Sequence, residues 1–157
     1  MVSIDDIAPD FELLDSEGKS EKLSDFRGQK IVLFFYPKAG TSGCTTQACG
    51  FRDSFPIIQA ADATVIGVSP DEPPALKKWK AAEKLPYMLL SDPNHAVAEK
   101  YGVWGEKKMY GRSYMGIIRS HFIIDEEGRI VDVQIKISPK NSIKQALASL
   151  ESGSISK

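Results

Sequence analysis

The residues with the most chemistry to offer are Cys44 and Cys49, the only two cysteines in the chain. They sit in Tyr36-Pro37-Lys38-Ala39-Gly40-Thr41-Ser42-Gly43-Cys44-Thr45-Thr46-Gln47-Ala48-Cys49, where a small-residue loop leads into a helix predicted from about Cys44 to Phe55. A helix start exposes unpaired N–H groups and the positive end of the macrodipole. A thiol placed there loses its proton more readily, and the thiolate is the nucleophile. Gly43 lets the backbone turn closely, and Thr41 offers a hydroxyl three residues upstream. On position alone, Cys44 reads either as this reactive thiol or as a small buried hydrophobe, a common fate of free cysteine.

The spacing of the pair sets a geometric condition. Each helical residue turns about 100° and rises about 1.5 Å, so five residues leave two Cα atoms roughly 140° and about 8.6 Å apart. A disulfide needs less than about 7 Å. Within one intact helix Cys44 and Cys49 therefore cannot bond. Either they are not a redox couple, or the helix unwinds during turnover. A zinc site would need two more ligands, and the only histidines, His95 and His121, are remote in sequence. His95 reads as the first turn of a surface helix and His121 as an outward-facing position on a strand. Arg119 interrupts an apolar stretch between Ile118 and Phe122. It reads either as a strand-edge residue facing solvent or as a guanidinium aimed at the thiolate, where its planar fork could hold a sulfur anion and an oxygen together.

These residues need a scaffold, and the apolar pattern supplies one. Lys30–Tyr36 is a continuous β-branched and aromatic run ended by Pro37, which reads as a strand buried on both faces. Residues 64–69 read as a second buried strand and 87–90 as a short one. Helices are predicted over 72–84, with Pro73 and Pro74 in the first turn, near His95 to Tyr101, and from Ser138-Pro139 to Leu150. Residues 11–14 and 19–23 flank Asp15-Ser16-Glu17-Gly18 as an N-terminal hairpin, and 117–125 and 129–135 flank Glu126-Glu127-Gly128 as a second one. The order gives an α/β layer architecture, parallel early and antiparallel late. Residues 1–157 form one domain on this reading, with a flexible tail from about 152 to 157.

Composition narrows the class. The chain has 157 residues, 42% hydrophobic and 26% charged, with a formal net charge of -1, ordinary for a globular protein. It lacks the basic excess of a nucleic-acid binder. Lys107, Lys108 and Arg112 read as a solvated loop. No apolar run approaches the ~20 residues of a spanning helix. The acidic start is unlike a signal peptide, which makes the cytoplasm the expected location.

At the cysteines the sequence resembles the peroxiredoxins. Pro37-x3-Thr41-x2-Cys44 matches their active-site motif, and Cys44-Thr-Thr-x-Ala-Cys49 is similar to the Q-type subfamily, also called bacterioferritin comigratory protein. Ala8-Pro9-Asp10-Phe11, Val68-Ser69-Pro70-Asp71, Leu89-Leu90-Ser91-Asp92, Tyr101-Gly102-Val103-Trp104 and Gly116-x2-Arg119-x2-Phe122-x2-Asp125 extend the likeness over nearly the whole chain. The resemblance implies a thioredoxin-like fold, with a central mixed sheet flanked by helices. It implies a monomeric peroxidase without metal or organic cofactor, acting on hydrogen peroxide and organic hydroperoxides. Cys44 would be the peroxidatic cysteine and Cys49 the resolving one, forming an intramolecular disulfide that thioredoxin reduces. Thr41, Arg119 and Pro37 would complete the catalytic site, and Thr41, Gly43, Cys44 and Arg119 would bind the peroxide. Two positions depart from the family's usual residues. Gln47 stands where Glu is common, removing a carboxylate partner for an arginine, and Ser42 stands where Pro is common. From the residues alone, a redox sensor and a thioredoxin-like disulfide reductase remain open; the long Cys-x4-Cys spacing argues against the second.

Overall fold

In chain order the elements are β1 (Glu12–Asp15), β2 (Ser20–Lys22), β3 (Lys30–Phe35), α1 (Ser42–Ala60), β4 (Ala63–Ser69), α2 (Pro73–Glu83), β5 (Met88–Ser91), α3 (Ala96–Lys100), β6 (Trp104–Met109), β7 (Arg112–Ile117), β8 (Ser120–Ile124), β9 (Ile130–Ile135) and α4 (Pro139–Ile155). The computed structural model describes residues 2–155. Seven strands form one sheet in the order β2-β1-β5-β4-β3-β8-β9. Strand β3 pairs in parallel with β4, and β4 with β5, while β8 runs antiparallel to β3 and β9. The N-terminal hairpin joins the sheet through β1 and β5.

The alternation of a β-strand explains the two cores. From β3, Val32 and Phe34 face one way and pack with Cys44, Ala48, Phe51 and Ile58 of α1, Leu76 and Trp79 of α2, and Ala146 and Leu150 of α4. Ile31, Leu33 and Phe35 face the other way, toward Val97 and Ala98 of α3, Tyr101, and Ala8, Phe11 and Leu23 of the N-terminal segment. A strand covered on both faces has no polar side. This is why residues 31–36 form an uninterrupted apolar run. Pro73 and Pro74 occupy the first turn of α2, as expected.

Several elements differ from the sequence reading. Helix α1 begins at Ser42, two residues before Cys44, and continues beyond Phe55 through Pro56 to Ala60. Proline has no N–H, so the Arg52 carbonyl loses its helical partner; Pro56 lies on the exposed side, where water can replace it. Lys107, Lys108 and Arg112 do not form a loop but belong to the β6–β7 hairpin. Its turn, Tyr110-Gly111, has φ of 53° and 77°, the double positive φ of a tight hairpin turn. The strand expected over 117–125 is split: Ile117 ends β7, Ile118 and Arg119 form a link, and β8 starts at Ser120. Finally, α4 extends past Leu150 to Ile155. Ser156 and Lys157, the end of the expected tail, lie outside the described residues.

Candidate active site

The C-terminal end of β3 delivers the chain to the site. Pro37 follows the strand and is half-buried. The loop after it is held down by Asp71, whose Oδ2 accepts from the Ala39 N–H at 2.7 Å and from the Ser69 hydroxyl at 2.8 Å. Gly40, with φ of 83°, turns the backbone into α1. Thr41 is the N-cap residue, and the first intrahelical bond runs from the Thr45 N–H to the Thr41 carbonyl at 2.9 Å. The N–H groups of Ser42, Gly43 and Cys44 thus have no acceptor within the helix.

Cys44 is fully buried in the reduced protein, and its sulfur accepts a hydrogen bond from Arg119 Nη2 at 3.3 Å. A thiolate in that place is met by a fixed, permanently charged donor. Gly43 makes room for this contact: a Cβ on it would lie 3.1 Å from Arg119 Nη2. The second arm of the guanidinium, Nη1, donates to Gln47 Oε1 at 2.8 Å. The amide oxygen therefore accepts where a carboxylate is common, and the arginine keeps a partner. Arg119 resolves the sequence ambiguity in favour of the thiol, from a link between two strands rather than from a strand.

The structure brings Cys44, Gly43 and Arg119 together and gives Thr41 and Cys49 hydrogen-bond partners of their own. The Thr41 hydroxyl donates to the Lys38 carbonyl at 2.8 Å, leaving its oxygen free to accept. Cys49 lies in the same continuous helix as Cys44, half-buried, with its thiol donating to Glu83 Oε1 at 3.3 Å. Burial, followed by the Glu83 hydrogen bond, pushes the Cys49 thiol up, with Arg52 pulling the other way. The first turns of α1 are further anchored by the Tyr87 hydroxyl on the Ala48 carbonyl at 2.7 Å and by Trp79 Nε1 on Thr45 Oγ1 at 3.4 Å.

A cleft of about 700 Å³ opens beside Arg119, lined also by Lys107, Lys108, Lys136, Ile118 and Ile137. Lys107 donates to the Ile117 carbonyl at 2.8 Å. Burial and the adjacent Arg119 hold its ammonium below the usual lysine range, with Cys44 acting in the opposite sense.

Sequence reading missed the polar residues behind the arginine. Gln47, Ser142 and His121 are fully buried. Gln47 Nε2 lies 3.0 Å from Ser142 Oγ, which lies 2.7 Å from His121 Nδ1. His121 faces inward, contrary to its expected outward place, because β8 is interior to the sheet and packed on both faces. The clue available in the sequence was a histidine within a strand that is otherwise apolar. His95, by contrast, caps α3 and stacks on Trp104 with ring centroids 3.7 Å apart.

Residues 4–133 match the AhpC/TSA family. The peroxiredoxin Bcp of Bacillus subtilis is 47% identical over 150 residues, covering 96% of each chain. The peroxiredoxin Bcp of Escherichia coli K12 is 48% identical over 128 residues, 82% of each. Among solved structures, a Cys-to-Ser mutant of the Xylella fastidiosa PrxQ superposes with a TM-score of 0.91 at 29% identity, over 98% of both chains. The Xanthomonas campestris bacterioferritin comigratory protein, solved in work on its alkyl peroxide reduction activity, gives 0.86 at 31% identity over 91% of both.

Proposed function

Because this chain belongs to the AhpC/TSA family and is a peroxiredoxin of the Q type, we propose that it reduces hydrogen peroxide and organic hydroperoxides through a Cys44 sulfenic acid resolved by Cys49. The Cys44 thiolate attacks the nearer oxygen of the peroxide and the O–O bond breaks. The departing alkoxide or hydroxide takes a proton, leaving as alcohol or water, and the sulfur is oxidised to sulfenic acid. Charge moving onto the leaving oxygen meets Arg119 and the free N–H groups at the start of α1, donors fixed before the reaction begins. The Thr41 oxygen accepts a hydrogen bond from the peroxide's O–H, since its own proton is engaged with the Lys38 carbonyl. Pro37 shields the sulfur from water. The observation that carries this reading is the Arg119 Nη2 contact to a fully buried Cys44.

Resolution follows from the helix geometry. With Cys44 and Cys49 in one intact helix, their Cα atoms are about 8.6 Å apart, beyond the reach of a disulfide. The first turns of α1 therefore unwind after oxidation. Unwinding also takes Cys49 away from Glu83, which restores an ordinary, more easily ionised thiol at the moment a nucleophile is required. Its sulfur attacks Cys44, water leaves, and a disulfide forms. A dithiol protein of the thioredoxin type reduces this disulfide by exchange, its own two thiols becoming a disulfide. The cycle suits a reducing compartment such as the cytoplasm and uses this chain as a monomer. The alkyl peroxide activity of the Xanthomonas campestris relative supports the substrate class.

Intact-mass measurement after one equivalent of hydrogen peroxide tests the scheme. The wild-type protein should lose two hydrogens as the internal disulfide forms. Cys49→Ser should gain one oxygen, and Cys44→Ser should remain unchanged. An oxidised Cys44→Ser protein at this stoichiometry would contradict the assignment of the nucleophile.

A further inference from the structure

Behind Arg119, a buried hydrogen-bonded chain runs through the interior from Gln47 to Ser142 to His121, with Asp132 3.5 Å beyond the ring. The guanidinium orders its first links. A guanidinium has only donors, so the Gln47 atom facing Arg119 at 2.8 Å must be the amide oxygen. Gln47 Nε2 then donates to Ser142 Oγ. A hydroxyl has one proton. With its oxygen accepting from Gln47, Ser142 has that proton available for His121 Nδ1, 2.7 Å away. His121 Nε2 faces Asp132 Oδ2 at 3.5 Å, and neither atom has a hydrogen-bond partner. The other carboxylate oxygen of Asp132 is occupied by Gln134 Nε2 at 3.0 Å.

We propose that His121 and Ser142 are positioning residues for the peroxide reaction: they lock the side-chain amide of Gln47 so that its oxygen holds Arg119 on Cys44. This rests on the peroxidase reading above. The direction of the Gln47 amide decides whether Arg119 keeps its second anchor. If His121 Nδ1 did not accept the Ser142 proton, that hydroxyl could donate to Gln47 instead. The amide would turn over and present its NH2 to a guanidinium that also has only donors. Arg119 would lose its second anchor and with it a fixed place on the sulfur. The chain ties together α1, α4 and β8, so it also opposes unwinding. Gln47 lies between the two cysteines in sequence and must leave Ser142 before they can meet.

The lock thus acts with opposite signs on two steps, and stopped-flow fluorescence separates them. Trp79 is bonded to Thr45 of α1 and reports both oxidation and opening. His121→Phe removes the acceptor while keeping an apolar ring. It should slow the second-order reaction with hydrogen peroxide about tenfold, since misplacing a catalytic group by ~1 Å costs up to about 100-fold, and it should speed disulfide formation. His121→Asn keeps a short side chain whose oxygen can take the place of Nδ1, and should recover the peroxide rate to within about threefold of wild type. Gln47→Leu should slow the peroxide step, and adding His121→Phe to it should cost little more, because the two act in series. The proposal is overturned if His121→Phe keeps the wild-type peroxide rate, if Asn fails to rescue a folded protein, or if the two losses multiply. Wild-type reaction with peroxide tests the underlying peroxidase reading separately, since a wild-type protein that does not react defeats that reading and not the lock alone.

Discussion

Replacing Arg119 by Met should damage activity and stability through two separable losses. The first is the donor 3.3 Å from Cys44 Sγ. Removing one preorganised donor from a site of developing negative charge typically costs about 10²–10³ in rate, so kcat/KM for hydrogen peroxide should fall by that factor. The second loss is on the other side of the guanidinium. Gln47 is fully buried, and its Oε1 would be left without the donor now at 2.8 Å. Stranding a buried acceptor costs about 1–3 kcal/mol, which for a chain of this size lowers Tm by roughly 4–8 °C at the middle of that range. Replacing both partners with apolar groups removes the unpaired atom. The Arg119→Met/Gln47→Leu double variant should therefore recover most of the Tm while remaining as inactive as the single. Peroxide kinetics and thermal unfolding by circular dichroism measure the two quantities independently. The reasoning is refuted if Arg119→Met retains activity within about threefold, or if the double variant is less stable than Arg119→Met by more than about 1 kcal/mol.

Three further outcomes are expected. Cys49→Ser should complete one turnover with peroxide and then stop, which quench-flow sampling of the sulfenic acid with dimedone would detect; continued cycling with thioredoxin would remove Cys49 from the scheme. In a Cys44→Ser background, iodoacetamide labelling of Cys49 should have its midpoint above the usual thiol value of about 8.5, and Glu83→Ala should bring it down. A thiol raised in the folded state stabilises α1 below its unfolded pKa, and that contribution disappears as pH rises through the folded value. Accordingly, Tm should decline across this alkaline range more steeply in Cys44→Ser than in Cys44→Ser/Cys49→Ser, and equal slopes would count against a folded-state role for the thiol. Gly50→Ala should destabilise the protein by about 1–3 kcal/mol, because the added Cβ overlaps the Ile143 side chain, 2.7 Å from Cγ1, where α1 meets α4. Chemical denaturation would measure this, and trimming Ile143 to Ala in the same chain should relieve most of it.

What the sequence made legible were features imposed by local chemistry. The β3 run, the proline pair opening α2 and the turns of the hairpins each have short-range causes, and the thiol at a helix start was visible because a strand, a small-residue loop and a helix follow one another there. What it hid depended on distant chain. Arg119 and Cys44 are 75 positions apart, and only the antiparallel pairing of β8 with β3 sets the link that carries the arginine beside α1. His121 looked outward because an alternating strand usually has a wet face, but β8 lies inside the sheet with α4 packed against it. The β6–β7 hairpin went unseen because its strands carry Glu106, Lys107, Lys108 and Arg112, and because Tyr rather than Asn or Asp precedes the turn glycine. The helix predicted to end at Phe55 runs on through Pro56, because one missing hydrogen bond on an exposed side does not outweigh the packing of Phe51 and Ile58 on either side of it.

In the proposed cycle Cys44 is the nucleophile, Cys49 completes the turnover and thioredoxin recharges the pair. The most direct test is peroxide-dependent NADPH consumption with thioredoxin and thioredoxin reductase, run on the wild type, Cys44→Ser and Cys49→Ser. Sustained consumption by the wild type, lost in both variants, is the predicted result. Sustained consumption by Cys44→Ser, or none by a wild-type protein whose Cys44 reacts with peroxide only once, would contradict it.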